Sequence, residues 1–303
     1  MKNKEAEPRR LVHFTPLRYP GGKAKLAAYV KEIIKQNKLY DGEYAEPYAG
    51  GAGIALELLF QEYVQQIRIN DVSHHVYSFW KSVLNDTDEL CRLVKNTKLS
   101  VGAWDRQKRI FSNPDDYDYV QVGFATFFLN RTNRSGILNG GVIGGRDQTG
   151  PWKIDARYNA DELIFRIESI AKMKKQIKLT RVDAISFLKC GLPKWPDKAL
   201  VYLDPPYYER GRDLYYDYYK PEDHADVAKL IGEKMQDCYW MVSYDNVAEI
   251  KTLYSAYRSI TYNVGYSARD RYIGKEIMFF SPKLVIPDLV GPVKQIGKTE
   301  MAA

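Results

Sequence analysis

Apolar and polar positions follow two different patterns along the chain. Short apolar runs such as "ALVYL" (199–203) and "YWMVS" (239–243) show no polar alternation, which is typical of parallel strands that are buried on both faces. Between such runs, apolar residues recur at helical spacing, as in the segments 24–36 and 221–235. Strand-like and helix-like segments that alternate in this way predict an α/β fold with an open, mostly parallel sheet covered by helices.

The alternation is interrupted once. It begins with the strands "YAEP" and "QIRIND", each followed by a helix, and it resumes with "QIKLTRVDAISFL" and runs on to the late strands "RSITYNV" and "KEIMFFS". The interruption is helical and polar and ends in the glycine-rich "NRSGILNGGVIGGRDQTGPW". We therefore predict a discontinuous α/β domain (11–85 and 161–285), an inserted domain with a Gly/Arg-rich hairpin (86–160), and loose tails (1–10 and 286–303).

The charge balance allows several kinds of partner. Among 303 residues, 45 basic and 38 acidic side chains give a net charge of +7, which permits a polyanionic partner without requiring one. The 24 tyrosines suit stacking on nucleobases, but ordinary surface tyrosines explain them equally well.

The sequence shows no pattern typical of a membrane span or of a metal site. No run reaches the roughly 18 apolar residues of a membrane helix, and no apolar signal segment follows the polar start "MKNKEAEPRR", so we expect a cytoplasmic protein. The three cysteines and four histidines lack the spacing of metal ligands, so we predict no metal site.

The segment "YAEPYAGGAGIALELLF" (44–60) has the order of a nucleotide cradle. A short strand ends in an acid, and Gly50, Gly51 and Gly53 then lead into a helix. Glycines let the backbone approach a ligand, and a helix start offers free N–H groups. The next strand ends in Asp71, which suits a ribose hydroxyl. A tight turn without a ligand is the alternative, and Leu56 stands where a dinucleotide fingerprint has a glycine, which disfavours NAD.

A second turn, "TPLRYPGGKAKL" (15–26), precedes the first strand. Tyr19 and Lys23 flank its Pro-Gly-Gly corner, where a ring could face a sulfonium or a base and an ammonium could face a carboxylate. Taken alone, such a segment is more often the start of a helix than a binding site.

The stretch "LVYLDPPYY" (200–208) ends a buried strand with a carboxylate. Asp204 is thereby placed at the carboxyl edge of the sheet, where ligands bind in this architecture. Pro205 and Pro206 remove two N–H donors and stiffen the corner, and Tyr207 adds a flat face. The corner can accept the two hydrogens of an amino group on a planar ring. A structural Asp-Pro-Pro turn with core tyrosines is the alternative.

The glycine-rich end of the insertion is rich in side chains of the types that can contact DNA bases. Arginine can bond guanine, and asparagine or glutamine can bond adenine, in the major groove. A solvated basic loop is the alternative for any single arginine. The aromatic cluster "YYDYYKPEDH" (215–224) could line a base pocket, contact a DNA backbone, or form an exposed loop. The predicted DNA-binding residues are Asn130, Arg131, Asn133, Arg134, Ser135, Asn139, Arg146 and Gln148, with Arg157 nearby.

Taken together, five ordered motifs resemble the DNA adenine methylases of the alpha arrangement, the Dam-type enzymes. They are "RYPGGK", "EPYAGGAG", "IND", "VDAISFL" and "DPPYY", and the resemblance covers about residues 15–282. It implies a Rossmann-like S-adenosylmethionine-dependent methyltransferase sheet with an inserted, mostly helical target-recognition domain. It also implies methyl transfer to adenine N6 in duplex DNA after base flipping, with S-adenosylhomocysteine as the second product.

The resemblance assigns roles by position. It implies a catalytic set of Asp204, Pro205, Pro206 and Tyr207. It implies cofactor contacts from Tyr19, Lys23, Tyr48, Gly50, Gly51, Ala52, Gly53, Asp71, Asp183, Ala184 and Asp204. It leaves room for a cognate restriction endonuclease and for a monomer or weak dimer, and it fixes no recognition sequence. Tyr19 and Pro20 depart from the tryptophan and alanine of many relatives.

Three rival functions stay open at this stage. An amino-group methylase acting on cytosine or RNA would keep the same corner. A nicotinamide-dinucleotide oxidoreductase would need the cradle but neither the Asp-Pro-Pro-Tyr corner nor the basic insertion. A DNA-binding protein without activity would bind a sequence and transfer no methyl group.

Overall fold

The central strands are short and almost wholly apolar, which forces them into the interior of a sheet. β4 (Ala199–Leu203) buries all of its residues, and β5 (Tyr239–Asp245) buries all except its two ends. The computed structural model, which describes residues 14–18, 23–209, 219–266 and 272–299, places both strands inside one sheet.

The sheet is mixed, with a parallel part on one side and an antiparallel part on the other. Its other strands are β1 (Gly42–Glu46), β2 (Val64–Asn70), β3 (Ile177–Thr180), β6 (Ser259–Tyr266), β7 (Tyr272–Phe280) and β8 (Lys294–Thr299). In the described residues the strand order is β3-β2-β1-β4-β5-β7-β6-β8. Strands β1 to β5 pair in parallel, whereas β5 with β7, β7 with β6 and β6 with β8 are antiparallel. The predicted α/β class with a mostly parallel sheet is confirmed.

Helices follow the strands as the sequence pattern predicts. In chain order the described ones are α1 (Ala27–Gln36), α2 (Gly53–Phe60), α3 (His74–Asn85), α4 (Thr87–Asn96), α5 (Val101–Ser112), α6 (Tyr119–Thr132), α7 (Ala160–Lys172), α8 (Ala184–Gly191), α9 (Pro221–Lys234) and α10 (Ala248–Leu253). Short 3₁₀ segments cover Lys23–Leu26, Pro114–Asp116, Arg134–Gly136, Lys174–Gln176 and Leu192–Lys194. Asp118 and Gln121 form a capping box that starts α6.

The helices between β2 and β3 share a hydrophobic cluster with the sheet. Buried residues of α4 to α7 belong to the same cluster as those of β1 and β2. Helices α3 and α6 approach closely at Gly123, where an added Cβ would lie 2.6 Å from the carbonyl oxygen of Ser78. After α6 the chain reverses, with an isolated antiparallel bridge between Asn133 and Val142. A separate inserted domain at 86–160 stays a prediction.

The prediction of a loose C-terminal tail is wrong for Lys294–Thr299. This segment forms the edge strand β8, which pairs antiparallel with β6. Every residue of β8 is exposed, so the strand is held by its backbone and carries no apolar pattern that could reveal it. The predicted N-terminal tail lies outside the described residues. In the described part of the chain, no helix is both long enough and apolar enough to span a membrane.

Candidate active site

The carboxyl ends of the parallel strands bring the predicted motifs to one edge of the sheet. β1 and β4 are neighbours, with Tyr44 opposite Leu200, so the turn after β1 and the corner after β4 lie side by side. β2 flanks β1 on its other side. The chain order reverses direction across the sheet at β1, and ligands bind at such a switch point in α/β sheets.

The glycine turn after β1 is held in shape by its neighbours. Gly50 and Ala52 both have φ of +47°, a left-handed conformation that costs an alanine about 1–2 kcal/mol. The Gly50 N–H donates to Asp71 Oδ2 at 2.9 Å, and Trp80 Nε1 donates to the Gly50 carbonyl at 2.9 Å. An added Cβ at Gly53 would lie 3.3 Å from the Cβ of Ala24. The turn is therefore compact, and it is tied to the end of β2.

Carboxylates after β2 and β3 suit the hydroxyl and amino groups of an adenosine. Asp71 is buried, and its Oδ1 also accepts from the Ser73 N–H at 3.0 Å. Asp183 caps α8 by accepting from the Ser186 N–H at 2.8 Å. Burial opposes the ionisation of Asp183, but the bonds from Ser186 prevail and lower its pKa. With the glycine turn, these groups fit S-adenosylmethionine in chemistry.

Lys23 lies between two carboxylates. Its Nζ is 3.2 Å from Asp204 Oδ1 and 2.7 Å from Glu276 Oε2. Burial alone would lower the pKa of Lys23, but the two acids outweigh it and the pKa is raised well above its ordinary value. Lys23 is therefore a buried ammonium that joins the N-terminal motif to the Asp-Pro-Pro-Tyr corner.

Asp204 is held by the neighbouring strand as well. Ser243 on β5 donates its hydroxyl to Asp204 Oδ1 at 2.7 Å, and Tyr202 lies 2.7 Å from that hydroxyl. Burial raises the pKa of Asp204; Lys23 opposes this shift, and Glu276 adds to it. The carboxylate thus has a fixed orientation at the carboxyl edge of β4.

Glu276 is the main residue that the sequence reasoning missed. It is fully buried on β7 and accepts hydrogen bonds from the hydroxyls of Tyr207, at 2.6 Å, and Tyr262, at 2.7 Å. The missed signal is an acid within the apolar strand "EIMFF", because a buried carboxylate requires partners. Glu276 links Tyr207 of the "DPPYY" motif to Lys23.

The corner after the prolines has a second anchor in Asp245, at the end of β5. Its carboxylate accepts from the N–H groups of Tyr208, at 2.9 Å, and Glu209, at 3.0 Å. The ring of Tyr208 lies 5.2 Å from that of the buried His224. These contacts give Tyr208 a structural role that could not be predicted from the sequence. Tyr207 is buried, and its predicted stacking on a base stays a prediction.

Two further side-chain contacts lie beside the site: one between a glutamate and a tyrosine, and one between two tyrosines. Glu46 at the end of β1 accepts from Tyr44 Oη at 3.1 Å and from the Ala55 N–H at 3.2 Å. Burial, only partly offset by these bonds, raises the pKa of Glu46 to about 8. The hydroxyls of Tyr48 and Tyr219 are 3.0 Å apart.

Two of the predicted DNA-binding amides are used inside the protein. Asn130 Oδ1 accepts from the Arg18 N–H at 2.7 Å, and its Nδ2 donates to the carbonyls of Arg18 and Gly136 at 2.9 and 3.0 Å. Asn133 Oδ1 accepts from Trp104 Nε1 at 2.6 Å. Both asparagines are buried, so we correct this prediction: these amides fix the loop, and they cannot reach base edges without breaking it.

The remaining predicted DNA contacts divide by exposure. Gln148 donates to the carbonyls of Ile143 and Gly145, both at 2.7 Å. Arg131 is half-buried, and burial with nearby arginines lowers its pKa to about 9. Arg146 forms an exposed bidentate pair with Asp105 at 2.9 Å. The exposed residues of the set are Arg134, Asn139 and Arg146, with Ser135 half-buried.

Some predicted residues have no structural description. Tyr19 and the Pro20 to Gly22 turn lie outside the described residues, as do residues 215–218 of the aromatic cluster. For them the cofactor and base-pocket assignments stay predictions.

Comparisons with known proteins show which family the chain resembles in sequence. The family model "D12 class N6 adenine-specific DNA methyltransferase" matches residues 19–267. No curated protein sequence matches the chain. A solved structure, protein LPL1258 from Legionella pneumophila str. Philadelphia 1 (DUF519), shares 11% identity over 86% of this chain and 85% of its own, with a TM-score of 0.32. A likeness at that TM-score carries no weight for fold or function.

Proposed function

The chain belongs to the D12 class of N6 adenine-specific DNA methyltransferases, and on that premise we propose that it takes the methyl group from S-adenosylmethionine and acts on an adenine rotated out of duplex DNA. Methylation of adenine N6 in DNA is the family's activity. The donor, the rotation of the base and the role of each residue are our proposal.

The contact between Lys23 and Asp204 carries the proposal. It joins the N-terminal cofactor motif to the catalytic corner at 3.2 Å, beside the glycine turn that follows β1. When bound, S-adenosylmethionine supplies an electrophilic methyl group on a sulfonium. We assign the Gly50 to Gly53 turn, Asp71 and Asp183 to holding this group, because they offer close backbone approach and acceptors for hydroxyl and amino hydrogens.

Asp204 is assigned to the target amino group. Both of its contacts described above use Oδ1, and a carboxylate has a second oxygen that can accept from the adenine amine. Pro205 and Pro206 have no competing N–H groups. Hydrogen bonds from the two amine hydrogens to Asp204 and to a backbone carbonyl of the corner would localise the nitrogen lone pair. The amine would then attack the methyl carbon in line while the bond from that carbon to sulfur breaks, and the methylated nitrogen would lose one proton.

Rotation of the base follows from the depth of the site. The side chain of Asp204 is only 21% exposed, so a base that stays stacked in a duplex cannot bring its amine within hydrogen-bonding distance. Enzymes that act on a base inside a duplex extrude it for this reason. The exposed Arg134, Asn139 and Arg146 are the residues that we propose contact the DNA.

The test is a pair of aspartate variants. We expect Asp204→Ala to abolish labelled methyl transfer to duplex DNA while it keeps the fold and most of the DNA affinity. Asp237→Ala is the matched control, because Asp237 is exposed and precedes β5 at the opposite edge of the sheet. Normal turnover by Asp204→Ala would refute the mechanism.

The substrate class is tested separately. Base-resolution mapping of DNA from cells that express the protein should show N6-methyladenine within one short sequence. An equimolar panel of duplex DNA, single-stranded DNA and RNA should show transfer mainly to the duplex. 2-Aminopurine at the mapped target position should brighten on binding if the base leaves the stack. Methylated cytosine or preferred RNA would favour the rival amino-group methylases.

A further inference from the structure

Two buried hydroxyls lead from the interior of the sheet to Asp204. β4 and β5 pair in parallel with Leu203 opposite Val242, so the next position along each strand brings Asp204 beside Ser243. Tyr202, two positions before Asp204, lies on the same face of β4. The Tyr202 hydroxyl oxygen is 2.7 Å from Ser243 Oγ, which is 2.7 Å from Asp204 Oδ1. We call these three groups the hydroxyl chain.

The direction of each hydrogen bond in the hydroxyl chain is set at its Asp204 end. Lys23 lies 3.2 Å from the same oxygen, Asp204 Oδ1, and an ammonium group can only donate. Oδ1 is therefore an acceptor, and Ser243 gives it the one hydrogen of its hydroxyl. Ser243 has no second hydrogen to offer, so Tyr202 is the donor in the bond between the two hydroxyls. The bonds thus run in one sense, from Tyr202 through Ser243 to Asp204.

Tyr202 and Ser243 lie too deep to touch a substrate. Tyr202 is 2% exposed and Ser243 is 0% exposed, whereas the side chain of Asp204 is 21% exposed. Any effect of the two hydroxyls on a reaction must therefore pass through Asp204. A hydrogen bond that a strand residue donates to Oδ1 resists rotation of the carboxylate, and a hydroxyl that donates to the first one strengthens that bond.

We propose that Ser243 and Tyr202 are positioning residues for methyl transfer, whose hydroxyls hold Oδ1 of Asp204 against β5 and so present the other carboxylate oxygen to the target amine. This inference deepens the proposed function and rests on it, since it takes Asp204 as the acceptor for the adenine amino group. Hydroxyls that served only the fold would stabilise the sheet and leave the rate of methyl transfer unchanged.

The experiment separates the rate of methyl transfer from binding, in variants of the full chain. Single-turnover methylation of a duplex with the mapped target sequence, at saturating S-adenosylmethionine, gives the rate. Fluorescence anisotropy and calorimetry give the dissociation constants for the duplex and for S-adenosylmethionine. Ser243→Ala should slow the rate roughly 10- to 100-fold, the loss expected when a reacting group moves by about an ångström. Both dissociation constants should stay within about twofold of the wild type, because the lost bond serves the reaction and not binding.

A double variant tests whether Tyr202 acts through Ser243. Tyr202→Phe alone should slow the rate roughly 3- to 10-fold, because Ser243 keeps its bond to Asp204 but loses the group that orients its hydroxyl. In the Ser243→Ala background the same change should alter the rate by less than about twofold. It should also recover part of the stability, since Ser243→Ala leaves the buried Tyr202 hydroxyl without its acceptor and phenylalanine removes that hydroxyl.

Ser82→Ala is the matched control. Ser82 is another fully buried serine, and its hydroxyl donates to the Ser78 carbonyl within α3 at 2.7 Å. The variant loses a buried serine hydroxyl outside the hydroxyl chain, so it should keep the wild-type rate.

Each outcome bears on the proposal. A wild-type rate in folded Ser243→Ala, or losses that multiply in the double variant, overturns the positioning role. If Ser243→Ala does not fold, Tyr202→Phe decides the matter, and a wild-type rate in that variant overturns the proposal. In these cases Asp204→Ala still abolishes transfer and the proposed function stands. Normal turnover by Asp204→Ala, in contrast, refutes the proposed function itself.

Discussion

Replacing Asn130 by alanine separates a structural asparagine from one that reads DNA. The side chain is 1% exposed and joins α6 to two other segments, through Arg18 and Gly136. Arg18 is the first residue of the N-terminal motif "RYPGGK". The variant therefore removes hydrogen bonds that connect α6 to that motif.

The magnitude follows from the bonds that are lost. Alanine leaves the Arg18 N–H without its acceptor at 2.7 Å and deprives the Arg18 and Gly136 carbonyls of donors at 2.9 and 3.0 Å. A net hydrogen bond contributes about 1 kcal/mol, and an unsatisfied buried donor costs about 1–3 kcal/mol. We expect the free energy of unfolding to fall by ~2–4 kcal/mol, a large part of the ~5–15 kcal/mol of a typical domain.

The assay is urea unfolding followed by circular dichroism, combined with methylation mapping of the same variants. Asn139→Ala is the matched control, because Asn139 is exposed on the same loop, and we expect its stability to change by less than about 0.5 kcal/mol. Folded Asn130→Ala should modify the same sequence as the wild type. An Asn130→Ala protein with wild-type stability and a relaxed recognition sequence would show that this amide reads a base.

Two further predictions concern packing and acidity. Gly123→Ala should lower the melting temperature despite the better helix propensity of alanine, because the new Cβ would lie 2.6 Å from the Ser78 carbonyl oxygen. Gly102→Ala in α5 should raise the melting temperature slightly, because its new Cβ would have no atom within 4 Å. In the folded protein the pKa of Glu46 is about 8, above its ordinary value, so its contribution to stability is lost as pH rises from about 5 to 8. Unfolding measured as a function of pH should therefore show Glu46→Gln gaining stability relative to the wild type over that range. A difference in unfolding free energy that stays constant with pH would contradict this.

The position of the Asp-Pro-Pro-Tyr corner at the end of a buried strand was predictable because its signals are local. The apolar run "ALVYL" predicts a buried strand, and the acid and prolines after it predict a site at the edge of the sheet. The structure brings Asp204 and Lys23 to 3.2 Å, although their separation in sequence gave no direct sign of the contact. The fold class followed from the same alternation of strands and helices.

What the sequence could not predict depends on long-range partners. Asn130 and Arg131 are polar and adjacent, and only the packing of α6 shows that the amide faces Arg18 and Gly136. β8 has no apolar pattern, because it joins the sheet through its backbone at an exposed edge. Glu276 is visible as an acid in an apolar strand, but its partners Lys23 and Tyr207 are far from it in sequence.

The ion pair between Lys23 and Glu276 also determines when the site can be completed during synthesis of the chain. The two residues are 253 positions apart, and proteins are synthesised from the N-terminus. A nascent chain can form the glycine turn early and deliver Asp204 later, yet Lys23 lacks its closer carboxylate until β7 has left the ribosome. Fragments released before that point would carry the cofactor motifs without the completed corner, so premature termination should yield no partly active methylase.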